Sequence, residues 1–319
     1  MKIVLLDAGT MGSDMTFSSI EALGECSIYQ KTAPEEVGER IKDADVVVIN
    51  KVVLDREVLK LAQKLKLICV FAIGYNNIDI EYCREKNIRV RNVPGYCVGS
   101  VCQHTFALLF SLIEKIRYYD DFVKTGDYSK SGIANHLAKP FFEIEGKKWG
   151  IIGMGAIGRA VADCAAAFGA EVCYSSISGA KREEKYAQVP FEQLLRESDI
   201  LTIHAPLNEK TEKLIGKKEL SMMKKSAVII NVGRGAIIDE QALADALNED
   251  VIAGAALDVY TQEPPVAESS ILNVKNGEKI VYTPHIAWGS VEARKRCISM
   301  TADNIASFIN GESLNDVWK

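Results

Sequence analysis

Lys147-Lys148-Trp149-Gly150-Ile151-Ile152-Gly153-Met154-Gly155-Ala156-Ile157-Gly158 is the stretch on which the reading of this chain turns. Residues 148–152 form a short apolar run of strand character, and 159–168 continue past the last glycine as an Ala-rich helical pattern. Between them the glycines stand at the spacing GxGxxG. Gly153 permits a tight turn, Gly155 lets backbone approach a pyrophosphate, and Gly158 allows the helix to pack closely; the helix N-terminus adds N–H groups and positive potential. The spacing alone is weak. With a strand before it and a helix after it, inside an α/β series, it predicts a dinucleotide-binding turn.

Outward from this turn the chain alternates apolar β-rich runs with amphipathic helical ones. Downstream, strands are expected at 171–174, 200–204, 227–231, 253–257 and 280–282, a complete doubly wound sheet with 148–152. Upstream, runs at 3–6, 46–49, 67–70 and 88–91 repeat the βαβ rhythm of a parallel sheet. Pro34 opens a helical run to Ile41, and Asp55 precedes another through Val58, Leu59 and Leu61. Residues 100–122 contain no Gly or Pro and predict one long helix. Residues 290–310 are helical but too short for a domain. The fold class is therefore α/β, with two Rossmann-like, doubly wound parallel-sheet domains. Residues 1–98 with 290–319 form the substrate domain, and 99–289 form a cofactor domain inserted into it, with ligands expected in a cleft between them.

At 319 residues and 48% hydrophobic, the chain can fill two cores. A net charge of -5 offers no general attraction to phosphate backbones, so nucleic acid is not an expected partner. No apolar run reaches the roughly 18 residues of a membrane span, and the start does not read as a signal peptide. The eight cysteines form no CxxC pair and read as buried thiols of a reducing cytoplasm. No metal site is expected.

The second strand of the glycine-motif sheet ends in Tyr174-Ser175-Ser176, where an NAD enzyme usually carries Asp or Glu for the ribose 2'-hydroxyl. No carboxylate there repels a 2'-phosphate, and Lys181 and Arg182 follow. NAD or NADP is therefore the expected cofactor, with NADP modestly favoured. His204, at a strand end before Ala205-Pro206, is read as bordering it. Three further strand ends carry Arg234 between two glycines, Glu263 before two prolines, and His285 after Thr283-Pro284. Reduction of a 2-oxo acid needs these residue types: a guanidinium fork for the carboxylate, an imidazole that gives a proton to the carbonyl oxygen, and a carboxylate that orients the imidazole. His136 reads as exposed loop, and His104 as either packing or lining.

On these residues the chain resembles the D-isomer-specific 2-hydroxyacid dehydrogenases over essentially its whole length: the glycine motif, 231–239, 258–265 and 284–288 match in order. The resemblance implies a split substrate domain, an inserted Rossmann domain and a homodimer. It gives Arg234, Glu263 and His285 the catalytic positions, and sets Ala156, Ile157, Ala205, Pro206, Thr211, Val232, Gly233 and Asp258 beside the cofactor. Ala72-Ile73-Gly74-Tyr75-Asn76-Asn77 matches the loop that receives the substrate carboxylate, and Asn50, Lys51, Ile73, Gly74, Tyr75 and Trp288 are the expected substrate contacts. Within the family, Asn50-Lys51, 74–77, Gln103-His104-Thr105 and 285–288 look most like enzymes acting on hydroxypyruvate or glycerate. A D-lactate or branched-chain 2-hydroxyacid dehydrogenase is the nearest alternative. A dinucleotide-sensing corepressor-like scaffold is the remote one, since the chain has no disordered tail or basic patch.

Overall fold

In the computed structural model, which describes residues 1–177, 179, 184–312 and 316–318, the chain divides into Met1–Cys97 with Gly289–Lys319, and Val98–Trp288. In the first unit, β1 (Lys2–Leu5), β2 (Glu25–Ile28), β3 (Val46–Ile49), β4 (Leu67–Val70) and β5 (Arg89–Arg91) make a parallel sheet in the order β2-β1-β3-β4-β5. Every residue of β3 and β4 is buried, which is why these strands read as unbroken apolar runs. The edge strand β2 is an addition to the sequence reading. Glu25-Cys26-Ser27-Ile28 has no apolar run because an edge strand is only partly covered.

The helix Val291–Ile309 completes this unit. Ser290 caps it by accepting the Ala293 N–H at 3.2 Å, and Ala293, Cys297, Ile298, Ala302 and Ile305 are buried along it. Arg91 ties the same C-terminal segment to β5. Its side chain is fully buried, with Nε 2.9 Å from Asp316 Oδ1, Nη1 2.7 Å from both the Asn304 carbonyl and Ser307 Oγ, and Nη2 2.8 Å from the Glu312 carbonyl. A buried guanidinium is tolerated because every face of it meets an acceptor.

The second unit holds β6 (Lys148–Ile152), β7 (Glu171–Ser175), β8 (Ala187–Gln188), β9 (Ile200–Ile203), β10 (Val228–Asn231), β11 (Gly254–Leu257) and β12 (Ile280–Tyr282). All pairings are parallel, in the order β12-β11-β10-β9-β6-β7-β8. This is the dinucleotide-binding order, with growth reversing between β6 and β9. The two-residue edge strand β8 again escaped a reading based on apolar runs.

The expected single helix over 100–122 is corrected. It is two helices, Val98–Ile113 and Ile116–Lys124, separated at Lys115, whose φ of +53° is left-handed. The first buries eight residues and the second none, so the chain leaves the core where its apolar face ends. Lys115 fixes the break by donating from Nζ to the Glu278 carbonyl at 2.8 Å.

Candidate functional site

The glycine turn follows β6 directly. Gly153 has φ +96°, and a Cβ there would stand 2.8 Å from the Ala205 nitrogen and 2.9 Å from the His204 carbonyl carbon, so the turn lies flat against the end of β9. A Cβ on Gly158 would meet the Gly153 carbonyl oxygen at 2.2 Å. Gly155 differs, with nothing within 4 Å of the place its Cβ would take. It is the N-cap of the helix Ala156–Ala167, and no side chain caps that end. The result is open space before uncapped N–H groups at a topological switch point, which fits a dinucleotide pyrophosphate. Gly233 joins the same neighbourhood, its Cβ position being 3.2 Å from the Ala205 carbonyl oxygen.

Arg234, Glu263 and His285 follow β10, β11 and β12, three adjacent strands, at their carboxyl ends. The Arg234 turn is shaped by Asn231, whose Oδ1 accepts the Gly233 N–H at 3.0 Å and whose Nδ2 donates to the Arg234 carbonyl at 2.9 Å. Gly235 presses this turn onto the next strand's loop, since a Cβ there would fall 1.9 Å from the Tyr260 carbonyl carbon. Glu263 is held by the Tyr260 N–H at 3.1 Å to Oε1, and its Oε2 lies 2.6 Å from His285 Nδ1. The Glu263–Pro264 peptide is cis.

His285 has φ +55°, rare for a residue with a side chain. Asp258 holds the loop in that state. Its carbonyl accepts the His285 N–H at 2.8 Å, and its carboxylate accepts Ile286 N–H at 2.9 Å, Ala287 N–H at 2.8 Å and the Thr283 hydroxyl at 2.6 Å. Burial pushes this carboxyl up, but the donors, with His104 3.5 Å away, outweigh it and hold it below the usual carboxylate range. The sequence singled out Asp258 but gave no sign of these partners, which come from residues 25 to 29 positions downstream.

In the first unit, Asp7 follows β1 and accepts N–H groups from Asn50 at 2.8 Å, Lys51 at 2.6 Å and Val52 at 3.1 Å. Asn77 Nδ2 donates to the carbonyls of Val52 at 2.7 Å and Asn50 at 3.3 Å, and Asn92 Nδ2 to Ile73 at 2.6 Å. The loops carrying Asn50-Lys51 and Ile73-Gly74-Tyr75 are therefore stitched into one surface. Asp7 was missed; its position just past a buried strand was the available signal.

On the nucleotide side, Ser176 lines a cavity of about 720 Å³ with Ile177, Gln188, Val189, Phe191 and Leu214. Lys181 and Arg182 lie outside the described residues. Thr211 is buried and closes its loop, donating to the Pro206 carbonyl at 2.7 Å and accepting the Asn208 N–H at 2.8 Å. Both His204 ring nitrogens are buried and have no hydrogen-bond partner among the described residues. Burial pushes its pKa down to about 3, so the imidazole is neutral. Among the described residues, no group of three or more His, Cys, Asp or Glu could hold a metal ion, and no helix is long and apolar enough to cross a membrane.

A doubly wound unit with this open glycine turn defines a dinucleotide-binding protein. The comparisons narrow the class. Residues 106–287 match the model of the D-isomer specific 2-hydroxyacid dehydrogenase NAD binding domain. The hydroxypyruvate reductase of Blautia hydrogenotrophica is 37% identical over the whole of both chains, and the glyoxylate reductase of Thermococcus litoralis is 40% identical over 86% of this chain and 83% of its own. A solved acyclic imino acid reductase in complex with NADPH and D-Arg superposes with a TM-score of 0.88 at 30% identity, covering 99% of this chain and 100% of its own. The chain belongs to the D-isomer-specific 2-hydroxyacid dehydrogenases. It is an oxidoreductase acting on CH–OH groups, and its cofactor is NAD or NADP.

Proposed function

We propose that this enzyme reduces hydroxypyruvate and glyoxylate to D-glycerate and glycolate, with Arg234, Glu263 and His285 as its catalytic residues. The observation that carries the reading is the 2.6 Å contact between Glu263 Oε2 and His285 Nδ1, on loops adjacent to that of Arg234. A dihydronicotinamide held by the glycine turn would supply the hydride for the carbonyl carbon of the oxo acid. Arg234 pairs its planar fork with the substrate carboxylate and fixes which face of that carbon is presented. Glu263 accepts a hydrogen bond from Nδ1–H of His285 and orients the ring, so Nε2 gives its proton to the carbonyl oxygen as that oxygen becomes a hydroxyl. In oxidation the same nitrogen takes the proton back.

The glycine turn, Ala156, Ile157, Ala205, Pro206, Val232 and Gly233 are the proposed cofactor cradle. Thr211 shapes it, and Asp258 and His204 back it. Ser176 in place of a carboxylate supports NADP over NAD. Asn50, Lys51, Ile73, Gly74, Tyr75 and Trp288 are the proposed substrate contacts. We further propose a cytoplasmic homodimer that binds no nucleic acid. The helix Ile116–Lys124 has no buried residue, and Ile116, Val123, Ile133, Leu137 and Phe141 are exposed nearby, supporting cover by a second copy. The eight cysteines are all free thiols, as a reducing compartment maintains them.

The test is oxidation of NADH and NADPH with hydroxypyruvate, glyoxylate, pyruvate and 2-oxoisocaproate, for the wild type and His285→Gln. Hydroxypyruvate or glyoxylate with NADPH is expected to give the highest kcat/KM, and His285→Gln to bind NADPH but turn over at least about 1000-fold more slowly. A clear preference for 2-oxoisocaproate would overturn the substrate, and an active His285→Gln the mechanism.

A further inference from the structure

The helix Val98–Ile113 carries Ser100 and His104 one turn apart, and both reach the loop that bears His285. Ser100 Oγ donates to the Ala287 carbonyl at 2.6 Å, and His104 Nε2 lies 2.9 Å from Thr283 Oγ1. The Thr283 hydroxyl proton is directed to Asp258 Oδ1 at 2.6 Å, so its oxygen accepts from His104, and Nε2 of His104 carries the proton. Asp258 in turn receives Ile286 N–H and Ala287 N–H. A continuous chain of hydrogen bonds thus runs from His104 through Thr283 to the Asp258 carboxylate, which also accepts the two backbone amides that follow His285.

We infer that His104 is a positioning residue for the reaction: through Thr283 it holds the Asp258 carboxylate in the orientation that keeps His285 in its left-handed backbone conformation, with Nδ1 against Glu263. The inference rests on the proposed role of His285 as proton donor. A carboxylate as buried as Asp258 keeps its charge only while its donors are themselves fixed. Remove the imidazole, and the Thr283 hydroxyl gains rotational freedom. The Asp258 oxygen that accepts both Thr283 and Ile286 loses its alignment, and the imidazole of His285 departs from the reacting carbon by the small distance that catalysis does not tolerate.

The test compares His104→Leu, which has no donor, with His104→Gln, whose amide N–H can still reach Thr283. In the proposed NADPH-dependent reduction, His104→Leu is expected to lower kcat about tenfold, the size of one lost hydrogen bond, with KM for the oxo acid changed less than about twofold. His104→Gln should recover at least about a third of the wild-type kcat by restoring the donor. Hydrogen–deuterium exchange of the 283–288 segment should accelerate in the Leu variant and return toward wild type in the Gln variant. Unchanged kcat and unchanged exchange in His104→Leu would overturn the inference, as would equal losses in both variants alongside equal falls in Tm, which mark mere packing. His285→Gln in the same assay separates the two failures. If it is inactive while His104→Leu is normal, only the role of His104 falls; if it is active, the acid–base reading falls and this inference with it.

Discussion

Each of the two sheets reverses its direction of growth once, between β1 and β3 in one unit and between β6 and β9 in the other, and the chain treats the two reversals in opposite ways. Past β1 stands Asp7, whose carboxylate is consumed by the N–H groups of Asn50, Lys51 and Val52. Past β6 stands Gly153, with no side chain, and two residues on Gly155 leaves the helix end uncapped. Equivalent topology therefore yields an internally sealed brace in one case and an open anion cradle in the other. The difference lies in one side chain at the end of one strand: a built-in anion makes a rigid loop, and its absence reserves the amides for a ligand.

The largest effect expected from breaking this contrast is at Asp7. Asp7→Ala strands three loop amides and should lower stability by about 2 to 4 kcal/mol in urea unfolding. It should also raise KM for the oxo acid while leaving NADPH affinity alone. An unaltered midpoint and KM would mean the loop holds itself. The glycines sharpen the other side. Gly158→Ala drives a Cβ into the Gly153 carbonyl and should cost about 1 to 3 kcal/mol with loss of NADPH binding. Gly155→Ala meets nothing within the protein; its stability should fall by less than about 1 kcal/mol. Its NADPH affinity, followed by fluorescence titration, should nonetheless drop about tenfold, equivalent to 1.4 kcal/mol. If the two variants lose stability equally, Gly155 is structural and the cradle is not reserved for a ligand.

The effect that is smallest at neutral pH concerns His204, beside the open reversal. With a native pKa of about 3 against an unfolded value near 6.5, the folded chain refuses a proton that the unfolded chain accepts. Its neutral state is therefore without penalty above about pH 6.5, and stability declines below it by about 1.4 kcal/mol per pH unit down to about pH 3. His204→Gln should flatten that slope in denaturant titrations between pH 6.5 and 4. An identical slope in the variant would place the titration elsewhere.

The elements plainest in the sequence are those buried along their whole length. Strands β3, β4, β9, β10 and β11 are buried throughout and announce themselves as apolar runs. The edge strands β2 and β8 do not, because one side of each faces water and any residue suffices there. The run over 100–122 gave no internal stop signal, because Lys115 breaks the helix through a tertiary partner, Glu278. In the site, the turns and strand-end residues were readable one at a time, since each type has its own chemistry. What joins them was not: the bonds from Asp258 to 283–287, and from His104 to Thr283, link segments remote in sequence and depend on the fold.

The buried Arg91 carries a consequence for the order in which the protein is made. Its acceptors lie at Asn304, Ser307, Glu312 and Asp316, more than 200 residues later in synthesis. While the ribosome is still adding them, the β1–β5 sheet has an unmatched cation in its interior and an uncovered apolar flank, whereas residues 98–288 are contiguous and can consolidate as they emerge. The half of the molecule that begins first is thus the half that finishes last.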